Sequence, residues 1–481
     1  MFSVTASRRT ASTPLAAGAR LPCSHCLRRW AILFFIAFFV YNLNLRPIPA
    51  GDTAPAALLP FAILGDHSMT FDRFERWYES QQVNALWFKR GGDGHYYSAY
   101  PILLPLLLTP LYTPALFLDI PHMPVARVVL LARILEKLSA SLIAALSVAA
   151  FWALAERLAN GRTALLLTVV YAFGSQTWST SSQALWQHGP SELAIILALL
   201  GFLWASDRPS GYLPAVLTGI CAGCSVAFRP TNAIFFAILT GYVVWSRWSA
   251  RRKTAFALSA LPVPVAYLVS NLFQFGEPLG GYNHADAVFA RGSLLTGLAG
   301  LLVSPSRGLL VFSPVFLFVA IGVYRWFRDG RTFDPQIYGV CLLVVAGHLV
   351  LVGKWRGWPG GFSYGPRLLA DVVPCLVILM VPAMSLVERS RGWKLAFAGA
   401  LVVSIAVQAV GVFCYPNGHW DALPLPANRH HERYWDLQDN QILRSARAGP
   451  VLEPYQLAWR FLTHPGTPAE QQLKGDGVKL W

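Results

Sequence analysis

Residues 30–60 read WAILFFIAFFVYNLNLRPIPAGDTAPAALLP, and this stretch decides the fold class. It opens with an uncharged apolar run over 30–45, close to the length of about 20 apolar residues with which a helix crosses a bilayer. Similar runs recur along the 481 residues, of which 55% are hydrophobic and 13% charged. Within lipid, such runs satisfy their backbone groups as helices. The sequence therefore predicts an all-α polytopic membrane protein.

About eleven apolar runs are predicted transmembrane helices. They cover residues 30–45, 133–156, 163–179, 190–206, 212–228, 231–247, 254–273, 308–326, 336–353, 367–387 and 394–414. A further stretch, Pro101–Ile120, is apolar but interrupted by prolines, and counting it would reverse the side of every later loop. We therefore interpret it as an interfacial or re-entrant segment on the outer face.

The net charge of +15 is spread over the helix ends and forms no single basic patch, which argues against nucleic-acid binding. Basic residues concentrate at every second connection, and the positive-inside rule places those connections in the cytoplasm. The basic residues are Arg28, Arg29, Arg157, Arg162, Arg208, Arg247, Arg251, Arg252, Lys253, Arg325, Arg328, Arg331, Arg389, Arg391 and Lys394. The prediction is a cytoplasmic lead (1–29), a transmembrane domain (30–414) with a large outer loop (46–132), and an outer-face tail (415–481).

The N-terminal lead contains one pattern that resembles part of a metal site. Cys23, His25 and Cys26 have the spacing of half a zinc site. No second Cys/His pair follows at a suitable spacing, so we predict no metal site there.

Few charges lie on the predicted outer face, and Asp52 is distinctive because it follows the end of the first apolar run by about seven residues. Arg229, Arg307 and Arg367 lie at helix edges on this charge-poor side, where an arginine drawn toward the bilayer centre costs up to about 2.5–3.5 kcal/mol. A phosphate group would suit them, because a guanidinium binds phosphate oxygens in a bidentate way. The alternative is that each arginine snorkels to lipid phosphates or pairs with a local carboxylate.

His188 lies in an outer loop that reads LWQHGPSE, and it is either a catalytic group or a hydrogen-bonded loop histidine. Aromatic side chains gather at the same outer helix ends. Tyr97, Trp186, Trp358 and Tyr364 are candidates for stacking on a sugar face. The alternative for these four is an aromatic belt at the membrane interface.

Six segments carry a resemblance to a known group of enzymes. They are GDTAPAALLP (51–60), GGDGHYYSAYPILLPLLLTPLY (91–112), LWQHGPSE (185–192), FRPTN (228–232), SPSRGLLVFSPV (304–315) and GWPGGFSYGPRLL (357–369). With the large first outer loop, they resemble the GT-C superfamily of polyprenyl-phosphate-sugar-dependent glycosyltransferases. The chain looks most similar to bacterial members related to protein O-mannosyltransferases and to the aminoarabinose transferase of lipid A.

The resemblance implies an inverting sugar transfer from a polyprenyl phosphate to a glycan, lipid or protein hydroxyl, on the outer face of a bacterial inner membrane. By position, Asp52 matches the acidic residue that acts as general base in the family. The leaving lipid phosphate needs fixed cations, for which Arg307 and Arg367 are the first candidates and Arg229 the third.

The chain departs from the family at one point. Many members carry an Asp-Glu pair or Asp-x-Asp, whereas here Thr53 follows Asp52 and no second acid appears before Asp66. One carboxylate rarely holds a divalent cation unaided, so a metal cofactor is weakly supported. Asp66, Asp72 and Asp93 are alternative bases.

Two other functions stay open at the level of sequence. A ligase or polymerase of lipid-linked glycans would share the outer-face chemistry and differ in the size of its donor. A transporter or lipid flippase would need charges near the membrane midplane and, commonly, inverted repeats. No clear repeat is found, and Glu136 and Lys137 are the charges that come closest to this requirement.

Overall fold

The computed structural model describes residues 24–80, 87–207, 211–280, 292–329, 334–456 and 459. Within these ranges it contains nineteen α-helices and one small hairpin. Most of the predicted lead 1–29, the end of the predicted tail 415–481, and the side chains of Cys23 and Cys26 lie outside the described part. The predicted all-α character holds, with a single two-stranded sheet added.

The helices are numbered α1 to α19 in chain order. They are α1 Ser24–Asn42, α2 Ala54–Asp66, α3 Glu75–Ser80, α4 Leu103–Tyr112, α5 Val125–Leu158, α6 Gly161–Phe173, α7 His188–Asp207, α8 Leu213–Phe228, α9 Ala233–Trp245, α10 Ala250–Ala260, α11 Pro262–Phe275, α12 Leu294–Val303, α13 Leu309–Phe312, α14 Leu317–Arg328, α15 Pro335–Lys354, α16 Val373–Leu379, α17 Val381–Arg389, α18 Arg391–Phe413 and α19 Gln441–Ala448. The hairpin pairs β1 Phe88–Arg90 with β2 Tyr96–Ser98, antiparallel.

Five helical segments in the described residues are long and apolar enough to cross a membrane, or six if a pair bent by 49° counts as one span. They are Val125–Leu158, His188–Asp207, Ala250–Phe275, Pro335–Lys354 and Arg391–Phe413, with the bent pair Arg367–Leu379 and Val381–Arg389. Other predicted spans fall on shorter apolar helices such as α6 and α8. The count of eleven therefore stays a prediction.

The predicted outer loop 46–132 contains the helices α2 to α4 and the hairpin. The proline-rich stretch Pro101–Ile120 forms the ten-residue α4 and a following 3-10 segment, Thr113–Leu118. Pro110 lies inside α4, where it lacks an N–H to donate and limits the helix length.

Close helix contacts depend on small residues. Helices α7 and α8 pack together, and α8 packs on α10 through Gly219 and Gly223. A Cβ added at Gly223 would lie 2.2 Å from the carbonyl oxygen of Ala260, and one at Gly219 would lie 2.5 Å from that of Phe256. Two glycines four residues apart let helix backbones approach in this way.

Buried charges of α5 hold the loop that precedes α7. The Lys137 ammonium donates to the carbonyl oxygens of Tyr41 at 2.7 Å and Ser182 at 3.2 Å, and to Gln183 Oε1 at 2.7 Å. Glu136 accepts from the backbone N–H of Leu185 at 3.2 Å. With all three ammonium protons in use, Lys137 braces this loop, which does not favour the transporter interpretation.

A buried carboxylate on α7 fastens the turn before it. Glu192 accepts hydrogen bonds from the hydroxyls of Tyr171 and Thr177, each at 2.7 Å, and from that of Ser181. Thr177–Ser181 forms a π-helical turn, a feature frequent at functional sites. Together with Lys137, these bonds hold residues 177–183, the stretch just before Trp186.

We expect Gly223→Ala to destabilise the protein, because its Cβ would push α8 away from α10, and overpacking costs about 1–3 kcal/mol. Gly399→Ala in α18 is the matched control, since a Cβ there meets nothing within 4 Å. Alanine is favoured over glycine inside a helix by about 1 kcal/mol. Thermal unfolding in detergent should show a lower Tm for the first variant and an equal or higher Tm for the second. Equal shifts would contradict the close contact.

Candidate active site

Asp52 lies in a short 3-10 turn, Gly51–Thr53, that leads directly into α2. Its Oδ2 receives a hydrogen bond from Arg367 Nη1 at 2.7 Å, and its Oδ1 receives one from the Tyr100 hydroxyl at 2.8 Å. The carboxyl side chain is 34% exposed. Asp52 is thus held by a cation and a phenol while one side stays open.

The environment keeps Asp52 ionised. Burial opposes the charged form, but the charge and hydrogen bond of Arg367 and the hydrogen bond of Tyr100 outweigh it, so the pKa of Asp52 lies below its usual value. His188 lies in the electrostatic neighbourhood of this carboxylate. At neutral pH Asp52 is therefore a proton acceptor.

Arg367 is the centre of the site. Its Nη2 donates to the Gly360 carbonyl oxygen at 2.6 Å, and its guanidinium carbon lies 4.2 Å from the centre of the Trp186 ring. The Nε–H is buried and has no hydrogen-bond partner in the described residues. An unpaired buried donor is costly, and here it marks where a further acceptor would be bound.

A second charged group adjoins the first. Asp371 Oδ2 lies 3.0 Å from Arg229 Nε and 3.0 Å from His188 Nδ1, and Arg229 Nη1 lies 2.7 Å from His188 Nε2. A neutral imidazole donates from one ring nitrogen and accepts at the other, and here Asp371 can accept from Nδ1 while Arg229 Nη1 lies within 3.1 Å of both ring nitrogens. Both ring nitrogens are then occupied.

The two groups are connected by the chain. Arg367 and Asp371 lie about one turn apart in the 3-10 segment Arg367–Val372, while Trp186 lies just before α7 and His188 is the first residue of α7. Asp371 is fully buried, and its Oδ1 has no hydrogen-bond partner in the described part of the chain. The structure thus brings together four predicted site residues that carry charge or a titratable ring. They are Asp52, His188, Arg229 and Arg367.

Arg307 binds the carbonyl groups on either side of the one that Arg367 binds, but it is enclosed by its own partners. It is 0% exposed, and all five of its N–H donors are used. The acceptors are the carbonyl oxygens of Ser306, Pro359 and Gly361, Gln441 Oε1 and Asp421 Oδ1. The prediction that Arg307 holds a phosphate needs correction, because in this arrangement it has no donor left for one.

The predicted sugar-stacking residues are mostly packed inside the protein. Trp358 is buried with its ring centre 5.6 Å from that of Tyr434, and the buried Tyr364 packs edge-on to Phe312. The cavity bordered by Trp186 and Tyr364 has a volume of about 10 Å³, which is too small for a sugar. Trp186 instead lies against Arg367, so its ring supports the cation.

Tyr97 and the alternative bases have local partners. The Tyr97 hydroxyl donates to Asp93 Oδ2 at 2.7 Å within the hairpin. Asp66 pairs with Arg73 at 3.2 Å, and Asp72 accepts from His95 at 2.6 Å. These contacts tie the acids to the outer loop itself, away from the group around Arg367.

The donor set around Asp52 does not suit a divalent cation. Its partners are a guanidinium and a phenol, and hard cations need several oxygen ligands. In the described ranges no group of three or more His, Cys, Asp or Glu side chains could hold a metal ion.

Sequence analysis missed two members of the site, Tyr100 and Asp371. Tyr100 follows β2 directly, and the hairpin is held to the end of α11 by a hydrogen bond from the Gly92 N–H to the Gln274 carbonyl oxygen at 3.1 Å. Asp371 follows Arg367 by four residues inside an apolar segment. The signal in the sequence was an acidic residue about one helical turn after an arginine, a spacing at which two side chains can pair.

Comparisons with known proteins agree on the fold. No protein-family model matches this sequence, and no curated protein matches it. The crystal structure of ArnT from Cupriavidus metallidurans bound to undecaprenyl phosphate is similar, with a TM-score of 0.50, 13% identity, and coverage of 92% of this chain and 72% of that one. The apo Archaeoglobus fulgidus oligosaccharyltransferase gives a TM-score of 0.47 and 14% identity, over 94% and 60%. The likeness to ArnT, at a TM-score of 0.50, shows the fold alone, and this is the GT-C fold that the sequence resemblance implied.

We expect Asp371→Asn to destabilise the protein strongly, because it leaves the Arg229 guanidinium without its buried counter-charge. Removing one partner of a buried ion pair costs about 3–5 kcal/mol. Asp66→Asn is the matched control, since the Asp66–Arg73 pair is partly exposed and such pairs contribute about 0–1 kcal/mol. Chemical or thermal unfolding in detergent would measure both. A small effect of Asp371→Asn would show that the buried charges are compensated in another way.

Proposed function

We propose that the protein is a membrane glycosyltransferase that moves a sugar from a polyprenyl-phosphate carrier to a hydroxyl acceptor on the outer face of the membrane. The observation that carries the proposal is the Asp52–Arg367 pair, in which an ionised base and a cation with a spare buried donor lie side by side. The GT-C fold supports it, and the similar ArnT structure holds undecaprenyl phosphate.

In the proposed reaction Asp52 acts as the general base. Its carboxylate takes the proton of the acceptor hydroxyl while the oxygen attacks the anomeric carbon of the donor sugar. The new C–O bond forms as the bond from the anomeric carbon to the phosphate oxygen breaks, which inverts the configuration. The electron pair leaves with the lipid phosphate, whose negative charge Arg367 stabilises.

Donor binding must first open the resting ion pair. Arg367 Nη1 is occupied by Asp52, while Nε is unoccupied. A phosphate that replaces Asp52 at Nη1 would receive a charge-assisted hydrogen bond there. The same exchange releases Asp52 from its cation and raises its basicity, so that the base becomes active only beside a bound donor.

The second charged group supports this site. Arg229 is 12% exposed and is oriented by Asp371, which makes it the second candidate to contact the phosphate. His188 has both ring nitrogens engaged, by Asp371 and Arg229. We therefore assign His188 a positioning role in place of the predicted catalytic one.

The membrane sidedness follows from the charge pattern. We propose a bacterial inner membrane location, with the N-terminus in the cytoplasm and the Asp52 loop and C-terminal tail outside. The acceptor is a hydroxyl of a glycan, lipid or protein. A glycan ligase or polymerase would use the same residues, and assays with monosaccharide and oligosaccharide donors would separate it from this function.

We expect Asp52→Asn to lower the transfer rate by about 10²–10⁴-fold, the usual contribution of a general base. The variant should still bind undecaprenyl phosphate, and more tightly than the native protein, because no carboxylate competes for Arg367. Transfer from lipid-phosphate sugars and the Kd for undecaprenyl phosphate would be measured on purified protein. Asp93→Asn is the control, since Asp93 is exposed in the hairpin. Full transfer activity in the Asp52→Asn variant would place the base elsewhere. So would a loss of transfer activity that occurs only in the Asp93→Asn variant.

A further inference from the structure

The loop Gly357–Pro366, here called the glycine loop, is bound by two arginines on adjacent carbonyl groups. Arg307 donates to the carbonyl oxygens of Pro359 at 2.7 Å and Gly361 at 3.0 Å. Arg367 donates to that of Gly360, between them, at 2.6 Å. Gly360 and Gly361 have φ of +79° and +68°, a conformation that glycine adopts without strain. The position of one carbonyl therefore depends on the other two.

Two further donors of Arg307 bind residues of the C-terminal segment. Nη1 binds Gln441 Oε1 at 2.6 Å, and Nη2 binds Asp421 Oδ1 at 2.7 Å. The guanidinium carbon lies 5.3 Å from the ring centre of Trp420 and 5.2 Å from that of Tyr434. Arg307 is thus enclosed by the segment that follows α18 and cannot touch a bound lipid.

Gln441, the first residue of α19, binds the other end of the glycine loop. Its Oε1 accepts from the Gly365 N–H at 2.9 Å, and its Nε2 donates to the Ser363 carbonyl oxygen at 2.9 Å. The same Nε2 lies 3.2 Å from Asp421 Oδ2. Gln441 is fully buried, and each of its side-chain polar atoms is paired. The loop is therefore held at both ends by one cluster.

We propose that Arg307, Asp421 and Gln441, here called the tail clamp, position Arg367 for the donor phosphate through the glycine loop. The inference rests on the proposed function, in which Arg367 binds that phosphate. The C-terminal segment, through Asp421 and Gln441, then contributes to substrate binding without touching the substrate. These three are positioning residues.

The physical reason lies in the partners of Arg367. The described residues give the Arg367 guanidinium two hydrogen-bond acceptors, Asp52 and the Gly360 carbonyl oxygen. Once a phosphate replaces Asp52, the Gly360 carbonyl oxygen is the one that remains. That carbonyl oxygen and the Trp186 ring, which lies against the guanidinium, then set the orientation of the Arg367 side chain. A displacement of about 1 Å in such a group is enough to cost about 10²-fold in function.

The test uses Gln441→Leu, which removes the amide, and Arg307→Lys, which keeps the charge and loses the five-donor fork. Arg447→Gln is the matched control, because Arg447 is exposed at the other end of α19. Arg367→Gln tests the phosphate contact itself. The Kd for undecaprenyl phosphate is measured on the full chain in detergent micelles, beside the Kd for undecaprenol, which has the same lipid chain and no phosphate.

We expect both clamp variants to weaken undecaprenyl phosphate binding by about tenfold or more, with undecaprenol binding unchanged, and Arg447→Gln to bind both lipids as the native protein does. Equal weakening for both lipids would show a general structural role and overturn the inference. Native affinity in both clamp variants would also overturn it, while loss of phosphate binding in Arg367→Gln would leave the proposed function intact. Native affinity in Arg367→Gln would refute the phosphate contact and the inference together.

Discussion

The ion pair between Asp52 and Arg367 connects two loops separated by 315 residues, and further contacts hold each of the two side chains in place. Asp52 is placed by the turn before α2 and by Tyr100. Arg367 is placed by the Gly360 carbonyl and the Trp186 ring. The pair is strong enough to keep the carboxylate ionised and open enough for a stronger anion to compete for the cation.

Polar groups within the apolar part of the protein make this arrangement rigid. In lipid an unsatisfied polar group costs several kcal/mol, so buried charges must be bound inside the protein. Lys137 and Glu192 bind neighbouring residues of the segment before α7, one through carbonyl groups and one through hydroxyls. The hydrogen bonds that satisfy these buried charges also hold the segment that leads to Trp186 and His188. The Trp186 ring contacts Arg367, and His188 contacts Asp371. Stability of the membrane domain and geometry of the site thus depend on the same bonds.

Sequence patterns were sufficient for the membrane class and the fold, because apolar runs of spanning length are local properties of the chain; the role of Asp52 stays a prediction. Sequence patterns were not sufficient to show that the Arg307 guanidinium is enclosed inside the protein. An arginine on the charge-poor side has the same appearance whether it awaits a ligand or is enclosed by Trp420 and Tyr434. The span count stays a prediction, since the apolar helices α6 and α8 have only 13 and 16 residues, and prolines and tertiary packing decide where each helix ends.

The separation of Asp52 and Arg367 in the chain also has a consequence for synthesis. A ribosome adds about 5–20 residues per second, so Asp52 emerges on the order of 15–60 s before the arginine that pairs with it exists. During this interval the outer loop is exposed with its carboxylate unpaired, while the later helices are still being inserted. Gln441 is made later still. The site is therefore completed at the end of biogenesis, and nascent chains that stop in the membrane domain contain the base without the cation.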